Sequence, residues 1–146
     1  MSGPPKPSLS PILTEADLVV RLTTFLRGQG YRVRKEVPNM GQLADVVATK
    51  GRWVTFVEAK LTRWQRAIGQ CQAHEQVADY ICVAIGSERV PSEFLEHAFA
   101  RGYGIIVYIP ASESFRWELQ PRVNRQVWPP QRQQWSRLLR GLAYAD

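Results

Sequence analysis

The stretch ADVVATKGRWVTFVEAKL, residues 44–61, holds two apolar runs divided by Lys50-Gly51, with Asp45, Glu58 and Lys60 set inside the runs. Two β-strands joined by a tight turn account for this pattern. Side chains alternate along a strand, so Glu58 and Lys60 share a face, roughly 7 Å apart. If Lys50-Gly51 is a two-residue hairpin turn, Thr49 pairs with Arg52 and Asp45 lies opposite Phe56. Asp45 is then the diagonal neighbour of Glu58 on the same face. A loop of about four residues keeps that parity, whereas one of about three moves Asp45 to the other face.

On the N-terminal side, residues 14–30 predict a helix. Thr14 and Asp17 make a capping-box pattern, Leu18, Val19, Leu22, Phe25 and Leu26 form an apolar face, and Gly28 or Gly30 stops it. Residues 31–38 alternate as a strand. After the hairpin, residues 62–79 predict a second helix, and the continuous apolar run 80–86 a buried strand. A helix over 91–104, strands at 105–109 and 115–119, and a helix over 129–145 complete the order. The expected fold is a mixed α/β domain over residues 13–146, its second helix a crossover between strands. Residues 1–12, with four prolines in the first eleven, read as a flexible tail, and 116–146 as a basic C-terminal extension.

The 146 residues suit one core, and a 45% hydrophobic content argues against disorder throughout. A formal charge of +6, from 19 basic and 13 acidic residues, is compatible with a polyanionic partner. No apolar run is long enough to span a bilayer, and the N-terminus lacks a signal-peptide centre. A cytoplasmic protein without a membrane partner is expected. Cys71 and Cys82 lack metal-type spacing and read as reduced core residues. His74 and His97, equally without ligand spacing, read as structural or surface residues.

Glu15 falls on the helical wheel amid Leu18, Val19, Leu22 and Leu26, while Asp17 points the opposite way. A carboxylate on a buried face is costly unless compensated. Together with the hairpin, the chain aims three carboxylates and one lysine at its interior or at a cleft. A divalent cation with oxygen ligands, Mg²⁺ with Mn²⁺ as substitute, is the economical compensation. Taken singly, each residue has a plainer account. Asp45 suits a strand end, Glu58-x-Lys60 a solvated strand face, Glu15 the helix macrodipole, and Glu36 the flank of a Pro-Asn turn. Their joint occurrence is what points to a site.

The element order, with Glu15, Asp45, Glu58-Ala59-Lys60 and a following helical Gln70, resembles the PD-(D/E)xK nuclease superfamily, the restriction endonuclease-like fold, near its archaeal Holliday-junction-resolvase-like branch. The resemblance covers residues 14–86. It implies an αβββαβ core and a metal-dependent DNA endonuclease. Asp45, Glu58 and Glu15 would hold Mg²⁺, Lys60 would position or polarise the attacking water, and Gln70 would support the site, with Gln72 in reserve. Ala44 stands where the family motif has its proline. A homodimer is expected if both strands are cut. The chemistry stands without the family: a metal held by carboxylates activates water and offsets phosphate charge, and a nearby lysine adds a cation where negative charge develops.

For DNA contact, Arg63, Trp64 and Arg66 follow Lys60 directly. Residues 116–140 carry six arginines, Arg116, Arg122 and Arg125 first among them, against the single acid Glu118. Arginine binds phosphate, and the interleaved Trp117, Trp128 and Trp135 either stack on unpaired bases or anchor the extension to the core. The alternative function is a non-catalytic nucleic-acid-binding or regulatory interaction domain that retains the nuclease fold.

Overall fold

A computed structural model of the chain describes residues 14–145; the expected tail at 1–12 lies outside them. The elements are α1 (Glu15–Gly28), β1 (Arg32–Asn39), β2 (Gln42–Lys50), β3 (Trp53–Lys60), α2 (Trp64–Gln72), β4 (Tyr80–Ile85), α3 (Ser92–Arg101), β5 (Gly104–Ile109), β6 (Ser114–Leu119) and α4 (Pro129–Arg140), with one 3₁₀ turn at Pro110–Ser112. The αβββαβ order implied by the resemblance is therefore the order observed. The six strands form one mixed sheet in sequence order. β3, β4 and β5 run parallel, as α2 and α3 crossovers require, and the other neighbours are antiparallel.

Two apolar layers hold the helices on. α1 packs Leu18, Leu22 and Leu26 against Val46, Val57, Cys82 and Ile106 on one face of the sheet. α2, α3 and α4 pack Ala67, Ile68, Phe94, Ala98, Trp135 and Leu139 against Val47, Phe56, Val83 and Val107 on the other. The Thr14–Asp17 capping box forms in both directions, at 3.1 and 3.2 Å. α2 is shorter than its apolar stripe suggested, giving way to turns after Gln72.

The hairpin differs from expectation by a shift of register. Lys50 pairs with Trp53, so the turn is Gly51-Arg52 rather than Lys50-Gly51. Gly51 has φ +58°, the left-handed conformation that such a turn needs and that glycine adopts without a Cβ penalty. Continued along β2, this register brings Asp45 level with Glu58 instead of Phe56.

Alternation also breaks where the site lies. Val33 and Val46 belong to the α1-side core, whereas Val37 and Ala44 belong to the opposite core. Strict alternation forbids both switches. They occur at Glu36, held at φ +55°, and at Asp45. The β1–β2 ladder pairs Lys35 with Val46 and Val37 with Ala44 but skips Glu36 and Asp45 between them. The outer hairpin arm thus turns over and opens a cleft beside the N-terminus of α1.

Candidate active site

Four of the expected site residues meet at this end of the sheet. The β2–β3 ladder stops at Val46 and Val57, and the Asp45 carboxylate takes over by accepting the Ala59 N–H at 2.8 Å. The Asp45 and Glu58 carboxyl groups lie close enough to hydrogen-bond through a shared proton. Lys60, nearly buried, donates from Nζ to Glu15 Oε2 at 3.4 Å. Glu15 and Asp45 also line one cleft of about 330 Å³ with Lys35 and Glu36. Glu15 is exposed, reaching the cleft and not the interior of the two places expected for it, whereas Asp17, expected to face solvent, is half-buried. As the first residue of α1, Glu15 stands at the end of the apolar stripe, beyond the core residues the helix covers.

Glu58 is the buried member, at 2% exposure. Its Oε1 lies 2.6 Å from Nε2 of His74, which is wholly buried. The Asn39 amide nitrogen donates to the Ala73 carbonyl at 3.1 Å and lies 2.9 Å from His74 Nδ1. Because that nitrogen can only donate, Nδ1 accepts and Nε2–H is left to donate to Glu58. Burial pushes the His74 pKa down to about 4, so the ring is neutral. His74 is thus a site residue that motif spacing missed, since no second ligand-type residue stands near it. The available signal was the stripe Trp64, Ala67, Ile68, Cys71, which His74 extends by three residues.

Two adjacent carboxylates in a partly dry site leave excess negative charge. Desolvation first, and then Glu58, push the Asp45 pKa up to about 7, against the lowering effects of the Ala59 N–H and Lys60. Desolvation likewise raises Glu58, more than Lys60 lowers it. The protonated form of Asp45 is favoured by folding, so its contribution to stability is full below the ordinary 3.8 and is lost as pH rises through about 7. The cation-free protein should lose about 2 kcal/mol from this group over that window, the solvent in the cleft having halved the gross value. Thermal melts from pH 4.5 to 8 should show a larger loss in wild type than in Asp45→Asn, where Glu58 alone of the pair still titrates, and Mg²⁺ should offset it. Parallel wild-type and variant profiles would reject the coupling.

The donor set suits Mg²⁺, which commonly binds one or two carboxylates plus substrate phosphate oxygens. Asp45 and Glu58 would hold it, with one Glu58 oxygen already committed to His74. Among the described residues, no group of three or more acid, histidine or cysteine side chains is arranged to hold a metal ion. Glu15 pairs with Lys60 instead of joining the other two carboxylates.

Of the two glutamines, Gln70 has a buried Oε1 without a partner. Gln72 is exposed, and once its amide is turned so that the oxygen faces the guanidinium it accepts from both terminal nitrogens of Arg101 at 3.1 Å. Arg63 and Arg66 are exposed just beyond Lys60. Trp64 is not available for base stacking: it is 8% exposed and its face is stacked on Phe94 at 5.1 Å. An apolar ring at the start of α2 gains more by filling the α2–α3 contact than by facing water.

The arginines of the extension divide. Pairing runs Lys60–Ile85, Ile85–Val107, Val107–Arg116, which puts Arg116 at the site end, about 14 Å from Lys60 by strand spacing. Arg116 bonds Glu118 at 2.9 Å. Arg122 and Arg125 follow β6, whose Leu119 pairs with Ile105 near the start of β5, at the far end of the sheet. Arg122 donates to the Phe99 carbonyl and lies over its ring. Any phosphate contact by these two is therefore made away from the Asp45–Glu58 end of the sheet, because the antiparallel return of β6 carries them there. Trp135 anchors α4 against Phe56, at 5.1 Å between ring centroids.

No protein family and no curated protein matches the sequence. Solved structures share the fold. A protein of unknown function from Silicibacter pomeroyi is similar at a TM-score of 0.64 and 19% identity, over 86% of this chain and 83% of that one. A fdxN element excision controlling factor from Anabaena variabilis is similar at 0.50 and 16%, over 67% of this chain and 95% of that one. No helix among the described residues is long and apolar enough to cross a membrane.

Proposed function

We propose that the chain is a Mg²⁺-dependent DNA endonuclease of the PD-(D/E)xK type, acting at the cleft between α1 and the opened hairpin. The observation that carries this reading is the meeting of the Asp45 and Glu58 carboxyl groups beside Lys60 where the sheet comes apart. When bound, the cation supplies charge for the phosphate and activation of water. Asp45 and Glu58 would hold it, and the Ala59 N–H fixes the Asp45 rotamer. Lys60, steadied by Glu15, sets a positive charge where negative charge grows on the phosphate. His74 keeps Glu58 oriented. Gln70 supports the site, and Arg63, Arg66 and Arg116 contact backbone phosphates at the same end of the sheet. A homodimer would serve to cut both strands.

The test is cleavage of junction, flap, single-stranded and duplex DNA. Mg²⁺ or Mn²⁺ should support cutting, and Ca²⁺ should permit binding with little cutting, since it holds a looser geometry. Cutting that survives excess chelator would sink the reading. The lack of a three-acid cluster among the described residues favours one alternative: a nucleic-acid-binding or regulatory domain that keeps the fold without cleaving. Salt-sensitive DNA binding with no cleavage under any divalent cation would select it.

A further inference from the structure

A second cleft opens on the α1 side of the sheet, beyond the C-terminus of α1. Tyr31, Trp53, Tyr80 and Trp117 line it with Lys50 and Gln120, around a volume of about 280 Å³. Its placement follows from register. Lys50 pairs with Trp53, and Thr55 with Tyr80, in the parity that faces α1, while Tyr31 and Trp117 pack against the α1-side core. Trp53 and Tyr80 meet at 5.8 Å between centroids, yet Trp53 is 41% exposed. The Trp117 indole donates to Gln29 Oε1 at 2.9 Å, which fixes that ring. Four aromatic rings gathered at a half-open cleft exceed what the core below them requires.

The charge of the cleft selects among aromatic-binding ligands. An aromatic cage for a quaternary ammonium needs its rings free of competing cations. Here Lys50 Nζ already lies over the Tyr31 ring at 4.5 Å, and among the described residues no carboxylate lines the cleft. A ligand with a flat ring and an anionic group matches both features. The volume admits one nucleotide rather than a duplex. We propose that this cleft binds one unpaired nucleotide of a DNA strand, its base among Trp53, Tyr80 and Trp117 and its phosphate at Lys50. The inference rests on the DNA reading above and adds a preference for substrates with a single-stranded segment. Lys50 stands five residues from Asp45 along β2, about 17 Å, so the bound nucleotide would lie a few nucleotides from the cleavage point.

The test is fluorescence anisotropy in excess chelator, so that nothing is cut. It compares oligo(dT), a blunt duplex and the same duplex with a single-stranded overhang. Trp53→Leu should weaken oligo(dT) and overhang binding about tenfold while leaving the blunt duplex unchanged, and Trp53→Phe should keep most of the affinity. Lys50→Gln, on an exposed side chain, should lower the salt slope for oligo(dT) by about one. Equal losses on blunt and overhanging DNA, or unaltered binding by both Trp53→Leu and Lys50→Gln, would overturn the site. Displacement of oligo(dT) by millimolar tetramethylammonium would overturn it in favour of a cation cage. A protein that binds oligo(dT) through Trp53 but cuts nothing with Mg²⁺ upholds the site and defeats only the nuclease reading. Cleavage with Trp53→Leu binding normally does the reverse.

Discussion

Asp45→Asn should reduce cleavage by a factor on the order of 10³ while leaving DNA binding intact or tighter. The amide matches the carboxylate in size and can satisfy every contact the structure gives it. Its oxygen accepts the Ala59 N–H, and its nitrogen donates to Glu58, a bond that two carboxyl groups form only by sharing a proton. The variant should therefore fold at least as well as wild type at neutral pH. What it loses is the charge that holds a divalent cation. Removing a negative charge near the scissile phosphate also relieves repulsion of the backbone. Lys60→Ala makes the contrast: it should stop cleavage and weaken binding slightly, because it deletes an attraction and leaves Glu15 without its partner. Anisotropy and cleavage of one oligonucleotide in Mg²⁺ separate the two. If Asp45→Asn cuts at the wild-type rate, the site does not exist as proposed.

His74→Ala should cost about 3–5 kcal/mol of stability, a large part of what a domain this size possesses. The substitution leaves the Glu58 carboxyl, 2% exposed, without its donor and the Asn39 amide without one acceptor. The cavity left by the ring adds to the loss. His74→Gln, which retains an N–H donor, should lose markedly less. The diagnostic measurement is a double-mutant cycle by urea unfolding. Glu58→Gln in the His74→Ala background should recover stability, since the neutral amide tolerates burial better than a carboxyl group without a donor. A His74→Ala cost no larger than that of an exposed substitution would mean that the His74–Glu58 contact carries no weight. Mn²⁺ affinity, measured by calorimetry on His74→Gln, reports whether the histidine also orients Glu58 for the cation.

These two residues mark where sequence is informative and where it stops. The hairpin, the order of elements and the shared face of Glu58 and Lys60 followed from local rules: period-two alternation, capping by Thr14 and Asp17, and the turn chemistry of Gly51. Asp45 lies near Glu58 with either turn, because a shift by two residues preserves parity. Parity itself then failed at Glu36 and Asp45, where both strands switch faces. Nothing in a single strand announces such a switch, which depends on how the hairpin arm leaves the sheet.

The residue types alone determined an α/β chain with acidic and basic groups at strand positions that burial penalises. Only the tertiary structure decided which partners relieve that penalty. Glu58 is held by His74, sixteen residues away in the turn that continues the stripe of α2, and Lys60 by Glu15 from α1. It also decided that Trp64 is core and that Arg122 and Arg125 lie at the far end of the sheet, while Trp53 and Trp117 share one cleft. The physical reason is common to all of these. Periodicity reports which side of its own element a residue takes, whereas compensation of buried charge and the gathering of rings depend on neighbours supplied by other elements.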